Sequence, residues 1–184
     1  MSQFPIQTPA SAPEAAQPIL EKAKKANGFV PNLYGVMANA PALLEAYTSV
    51  AAALAKGSLS ATEQQVVLIA ASELNGCTYC VAAHSVIAKM SKVPADVVES
   101  LRNDQPLADA KLEALRQLAK AIVESRGWPS EDVVSAFYAA GYGQQQYLEV
   151  VLGIGLKTLS NYTNHATATP LDAAFQPAAW EKAA

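Results

Sequence analysis

Apolar positions recur along this chain at intervals of three and four residues almost everywhere, which is the spacing of one buried face on an α-helix. Leu43, Tyr47, Val50 and Leu54 share such a face behind Pro41, a residue suited to a first helical turn, and Gly57 marks the stop. Ser60-Ala61-Thr62-Glu63 has the form of a capping box. In that motif the hydroxyl and the carboxylate each satisfy an N–H the helix leaves free, so a helix carrying Val66, Val67, Ile69 and Ala70 is expected to run toward Asn75-Gly76. Another is expected from Cys77 to about Met90, and Pro94 should open a short one lasting to about Arg102. Leu112, Leu115, Leu118, Ile122 and Val123 predict a helix from about Leu107 to Arg126, stopped by Gly127 and Pro129. Ser130, followed by Glu131 and Asp132, should cap a helix ending at Gly141. Leu148, Val151, Leu152, Leu156, Leu159 and Tyr162 predict a long last helix from about Gln144 to Ala168, closed by Pro170.

Upstream of these, Pro5, Pro9, Pro13 and Pro18 predict an extended arm that passes into a short helix ending near Asn27-Gly28. A second short helix is expected from about Asn32 to Ala38. No run alternates with period two and β-branched residues, so the expected fold is all-α, about eight helices with no sheet. At 184 residues the chain suits one domain with one substantial core.

Composition narrows the partners. The formal charge is −3 with scattered Lys and Arg, which supplies no basic field for nucleic acid. The apolar fraction of 51% comes largely from alanine, and no stretch approaches the roughly 20 apolar residues of a membrane-spanning helix. The first residues lack both the basic start and the apolar run of a secretory signal, so the cytoplasm is the expected location.

The chemistry concentrates in Ser72-Glu73-Leu74-Asn75-Gly76-Cys77-Thr78-Tyr79-Cys80-Val81-Ala82-Ala83-His84, which holds the only two cysteines and one of the two histidines. Offsets of three and four residues put Cys77, Cys80 and His84 on one helical face. The loop between the cysteines is too short for a stabilising staple, so dithiol exchange is the better use of the pair. Helix-terminal N–H groups favour a thiolate at Cys77, whereas a protonated His84 would favour one at Cys80, and the two arguments leave the lower pKa open. A structural zinc site on Cys77, Cys80, His84 and His165 is an alternative, weakened by the lack of a second close ligand pair. A redox sensor whose disulfide alters assembly is another.

Other candidates carry less. Gly153-Ile154-Gly155 before Leu156-Lys157-Thr158 has the look of a phosphate loop but lies in a helical run with no preceding strand, so close helix packing explains it better. Asn161-Tyr162-Thr163-Asn164-His165 either lines a pocket or closes a helix. Ser58, Ser60 and Ser85 lack acid–base partners at a hydrolase's spacing, and Tyr142, Tyr147 and Tyr162 read as core or interface residues.

The stretch LSATEQQVVLIAASELNGCTYCVAAHSVIAK resembles the alkyl hydroperoxidase D (AhpD)-like branch of the carboxymuconolactone decarboxylase family. Flanking GFVPNLYGVMANAPALLEAY and LSNYTNHATATPLDAAF resemble its peroxidase-related members. That resemblance covers residues 26–175, leaving an arm with a short helix over 1–25 and a tail over 176–184. It implies an AhpD-like helical fold in homotrimers or hexamers, a hydroperoxide substrate, and no cofactor beyond a thiol or dithiol reductant. It also implies that Cys80 attacks the peroxide, Cys77 resolves the sulfenic acid to a disulfide, and His84 serves the proton relay. Two positions depart from the family pattern. Gln65 stands where the better-known peroxidase has a glutamate, and Tyr79 stands where it has a histidine. A glutamine orients a neighbour but does not shuttle protons. Glu63, Glu73, His165 or a tyrosine hydroxyl are the residues left to complete a relay. The decarboxylase activity that names the family is a third reading, poorer because those members typically lack the cysteine pair.

Overall fold

The computed structural model of the chain describes residues 4–182, so the first three positions of the expected arm and the last two of the expected tail lie outside it. Nine α-helices and two short 3-10 segments occur among the described residues, with no strand. The helices are α1 (Gln17–Asn27), α2 (Asn32–Met37), α3 (Pro41–Leu54), α4 (Ala61–Leu74), α5 (Thr78–Met90), α6 (Ala95–Arg102), α7 (Ala110–Ser125), α8 (Glu131–Ala139) and α9 (Gln144–Thr167). The all-helical expectation is met, with boundaries within a few residues of those the periodicity suggests.

α4 is the hub. It packs against α5, α6, α7 and α9, and every residue from Gln65 to Glu73 is buried, as a helix surrounded by others requires. Its start is the expected capping box: Ser60 Oγ accepts from the Glu63 N–H, and the Glu63 carboxylate accepts from the Ser60 N–H at 2.8 Å. Ser130 does occupy the N-cap of α8, but its side chain makes no capping bond.

α9 crosses α4 closely because of Gly153. A methyl group built there would sit 2.9 Å from Val67 Cγ1, so helix packing accounts for the glycine. The two long helices thereby divide the interior. On one side Val66, Ile69, Leu101, Leu115, Leu118, Phe137 and Val150 form a core under α6, α7 and α8. On the other, Leu20, Leu33, Met37, Leu44, Leu68, Leu156 and Phe175 form a second core that also takes in Cys77, Tyr79 and Cys80.

The described N-terminal arm and C-terminal segment are both tied down by hydrogen bonds to the helices. The arm is pinned where Gln7 N–H meets the Gly35 carbonyl and Asn39 Nδ2 meets the Pro5 carbonyl. At the other end Asp172 accepts from the Asn32 N–H, and Arg102 donates to the Ala178 and Ala179 carbonyls. None of the helices among the described residues is long and apolar enough to cross a membrane.

Candidate active site

Gly76 ends α4 in a left-handed conformation, φ 65°, and lets the chain turn directly into α5. Cys77 becomes the N-cap residue with extended backbone, and Cys80 lies in the first turn. Both sulfur-bearing side chains are buried as free cysteines, and Asn164 of α9 spans them. Its Nδ2 lies 3.3 Å from Cys80 Sγ and 3.7 Å from Cys77 Sγ.

The two thiols are unequal. The Cys77 S–H donates to the Cys80 sulfur, which pushes the Cys77 pKa up, and burial adds to this. The same bond holds Cys80 well below the usual thiol range. Burial opposes the shift, and Lys157, Ser160 and Asn161 help it. These influences favour the thiolate at Cys80 and the proton at Cys77. The outcome favours the cysteine nearer His84, but the reason is not an imidazolium.

His84 is neutral. An ammonium has no lone pair, so the 2.9 Å contact between Lys157 Nζ and His84 Nε2 makes Nε2 the acceptor. The proton then sits on Nδ1 and is donated to Gln65 Oε1, also at 2.9 Å. Burial first, and the Lys157 charge second, hold the imidazole pKa well below its ordinary value. Gln65 orients the ring, which is all its chemistry allows.

Beside this line of groups lies a cavity of about 310 Å³. Cys80, His84 and Lys157 face it, and Phe29, Tyr34, Tyr47, Tyr79 and Phe175 supply aromatic walls. Tyr79 lines the wall while its hydroxyl is committed elsewhere, at 2.5 Å from Asp172 Oδ2 and accepting from the Leu33 N–H. The phenol ties α5 to the C-terminal segment and to α2. Glu63 is used up in the capping box and Glu73 pairs with Lys182, so neither reaches the cavity. His165 is exposed on α9. Among the described residues no cluster of three or more His, Cys, Asp or Glu is placed to hold a metal.

Four residues outside the cysteine motif, of which the sequence offers Asn161 and Asn164 as pocket-lining candidates, complete the site: Lys157, Ser160, Asn161 and Asn164, all buried on one face of α9. Their spacing of three, four and seven residues was the available signal, because it is a polar stripe on a helix whose Leu148, Val151 and Tyr162 are exposed.

Residues 41–121 match the carboxymuconolactone decarboxylase family profile. The chain has the AhpD-like fold, and this segment of it resembles that family. No curated protein sequence matches it. Among solved structures, an alkylhydroperoxidase AhpD core, peroxidase-related protein from Ralstonia eutropha superposes with a TM-score of 0.81 at 22% identity, covering 95% of this chain and 94% of that one. A peroxidase-related protein from a Silicibacter species gives 0.79 at 22% identity, covering 94% and 92%. The debrominase Bmp8, as a cysteine-to-alanine variant in complex with 2,3,4-tribromopyrrole, gives 0.79 at 20% identity, covering 97% of each chain. These neighbours share the AhpD-like fold of the chain.

Proposed function

We propose that this chain belongs to that family and is a thiol-dependent oxidoreductase that reduces organic hydroperoxides, with Cys80 as nucleophile and Cys77 as resolving thiol. The observation that carries the reading is the Cys80 sulfur, held by S–H and N–H donors at the wall of an aromatic-lined cavity that Lys157 also faces. A stabilised thiolate is the reactive form of cysteine, and such a cavity takes a largely apolar substrate.

The steps balance. The Cys80 thiolate attacks the terminal oxygen of R–O–OH, the O–O bond breaks, and Cys80 becomes a sulfenic acid while RO⁻ leaves and takes up a proton. The Cys77 sulfur then attacks Cys80, its own proton goes to the departing hydroxyl, and water leaves behind a disulfide. A thiol or dithiol reductant restores the pair by exchange, so no bound cofactor enters. His84 and Gln65 belong to the proton-handling end of the site, and Tyr79 to its wall. The proposal includes a homo-oligomer, trimer or hexamer, and a cytoplasmic setting that keeps the dithiol reduced.

A second reading, thiolate attack on a halogenated aromatic ring, is favoured by the aromatic walls together with the debrominase neighbour. One experiment separates the readings. Protein given stoichiometric alkyl hydroperoxide or bromopyrrole is followed for substrate loss and cysteine state. Cys80→Ser should consume no peroxide, and Cys77→Ser should accumulate a sulfenic acid that a carbon nucleophile traps. Peroxide loss undiminished in Cys80→Ser defeats the first reading, and release of bromide by the wild type with no peroxide consumption favours the second.

A further inference from the structure

The peroxidase reading leaves open where the leaving oxygen finds its proton, and the resemblance would hand that task to His84. The geometry makes this difficult. Both ring nitrogens of His84 are engaged: Nδ1–H points at Gln65 Oε1, and the Nε2 lone pair receives Lys157. No imidazole proton faces the cavity, and Gln65 behind it has no acid to resupply one. Lys157 is the opposite case. It is fully buried and faces the same cavity as Cys80. His84 is its one hydrogen-bond partner among the described residues, which uses one of its three N–H groups. A fully buried ammonium with a single neutral acceptor is an expensive arrangement to keep for packing alone.

We infer that the Lys157 ammonium, and not the His84 imidazole, delivers the proton to the leaving oxygen of the hydroperoxide, with His84 as the positioning residue that aims it. This rests on the peroxidase reading of the same cavity. As Cys80 S⁻ displaces RO⁻, one N–H bond of the ammonium breaks and an O–H bond forms on the leaving oxygen, giving ROH and a neutral amine. The amine recovers its proton when the reductant regenerates the pair and Cys80 returns to the thiolate. Summed over the cycle, ROOH and a dithiol give ROH, water and a disulfide. The charge of Lys157 has a second effect in the resting site, since it faces the thiolate it helps to hold.

The test uses two peroxides that differ in leaving group. An alkyl hydroperoxide expels an alkoxide, which needs a proton, whereas a peracid expels a carboxylate, which does not. Single-turnover oxidation of Cys80 is measured with each, corrected for thiolate fraction. Lys157→Met should lose about 10²- to 10⁴-fold with the alkyl hydroperoxide, the usual worth of a general acid, and little with the peracid. Lys157→Arg keeps the positive charge but holds its proton too tightly to give it up, so it should restore the thiolate without restoring the alkyl hydroperoxide rate. His84→Gln should slow the alkyl hydroperoxide by less than Lys157→Met does and leave the peracid nearly unchanged, because it loosens the aim of the donor without removing it. A measurement on the wild type alone guards against misfolded variants: a normal solvent deuterium isotope effect with the alkyl hydroperoxide and none with the peracid. Full recovery in Lys157→Arg, equal losses for both peroxides in Lys157→Met, or an equal isotope effect with both substrates would overturn the inference. Wild-type protein inert to both peroxides defeats the parent reading first and the inference with it.

Discussion

The two cores on either side of α4 and α9 are made by the same pair of helices and obey different rules. Under α7 and α8 the interior is closed hydrocarbon: Leu115, Leu118 and Phe137 are fully buried, and Phe137 stacks on Tyr142 with ring centroids 4.6 Å apart. An ion cluster adjoins it, where Arg116 is clamped between Asp104 at 2.6 Å and Glu113 at 2.8 Å. Under α5 the interior holds an ammonium, an imidazole, two thiols and an asparagine around a hollow. Asn164 Oδ1 is buried there, as the Tyr142 hydroxyl is in the first core, each without a hydrogen-bond partner among the described residues. The first core shows what stabilises the fold, and the second shows where close packing is given up, leaving a hollow beside the Cys80 sulfur.

Truncation should separate the two most sharply. Phe137→Ala removes a fully buried ring from the closed core and should cost about 3–5 kcal/mol in denaturant unfolding, with peroxide turnover per folded molecule unchanged. A loss under about 1 kcal/mol would mean that this core is looser than its contacts suggest.

Asn164→Leu reverses the pattern. Removing a donor to an ionised sulfur forfeits a charge-assisted bond and should slow Cys80 oxidation about tenfold at neutral pH. The same change removes the orphaned Oδ1, so stability should move by less than about 1 kcal/mol. Equal rates in wild type and variant would take Asn164 out of the site.

That asparagine also shows where the sequence stops being readable. The pairing of Cys77 with Cys80 and the helix that presents them follow from local spacing, whereas Gln65 enters through the family resemblance, with side-chain chemistry limiting it to orienting a neighbour. Periodicity shows that Lys157, Ser160, Asn161 and Asn164 share a face but not that the face points inward, because a polar stripe normally meets water. The hydroxyl of Tyr79 finds Asp172 far along the chain, a partner no local pattern announces. Likewise the expected imidazolium near Cys80 took no account of what packs on His84, where desolvation and then the Lys157 charge push its pKa down.

The smallest effect tests the frame that both cores share. Ser60→Ala breaks the capping box of α4 and should lower stability by about 1 kcal/mol without altering the reactivity of Cys80. A change in thiol reactivity would show that the position of α4 tunes the site.

The unequal thiols carry the whole account, and titrating each thiolate by its ultraviolet absorbance tests them most directly. In Cys77→Ser the serine hydroxyl donates in place of the lost S–H, so Cys80 should still ionise below the ordinary thiol value of about 8.5, and its reactivity falls only as acid protonates the sulfur. In Cys80→Ser the remaining, buried Cys77 should stay protonated above that value. The reverse order, or two thiols that both titrate above 8.5, would contradict it.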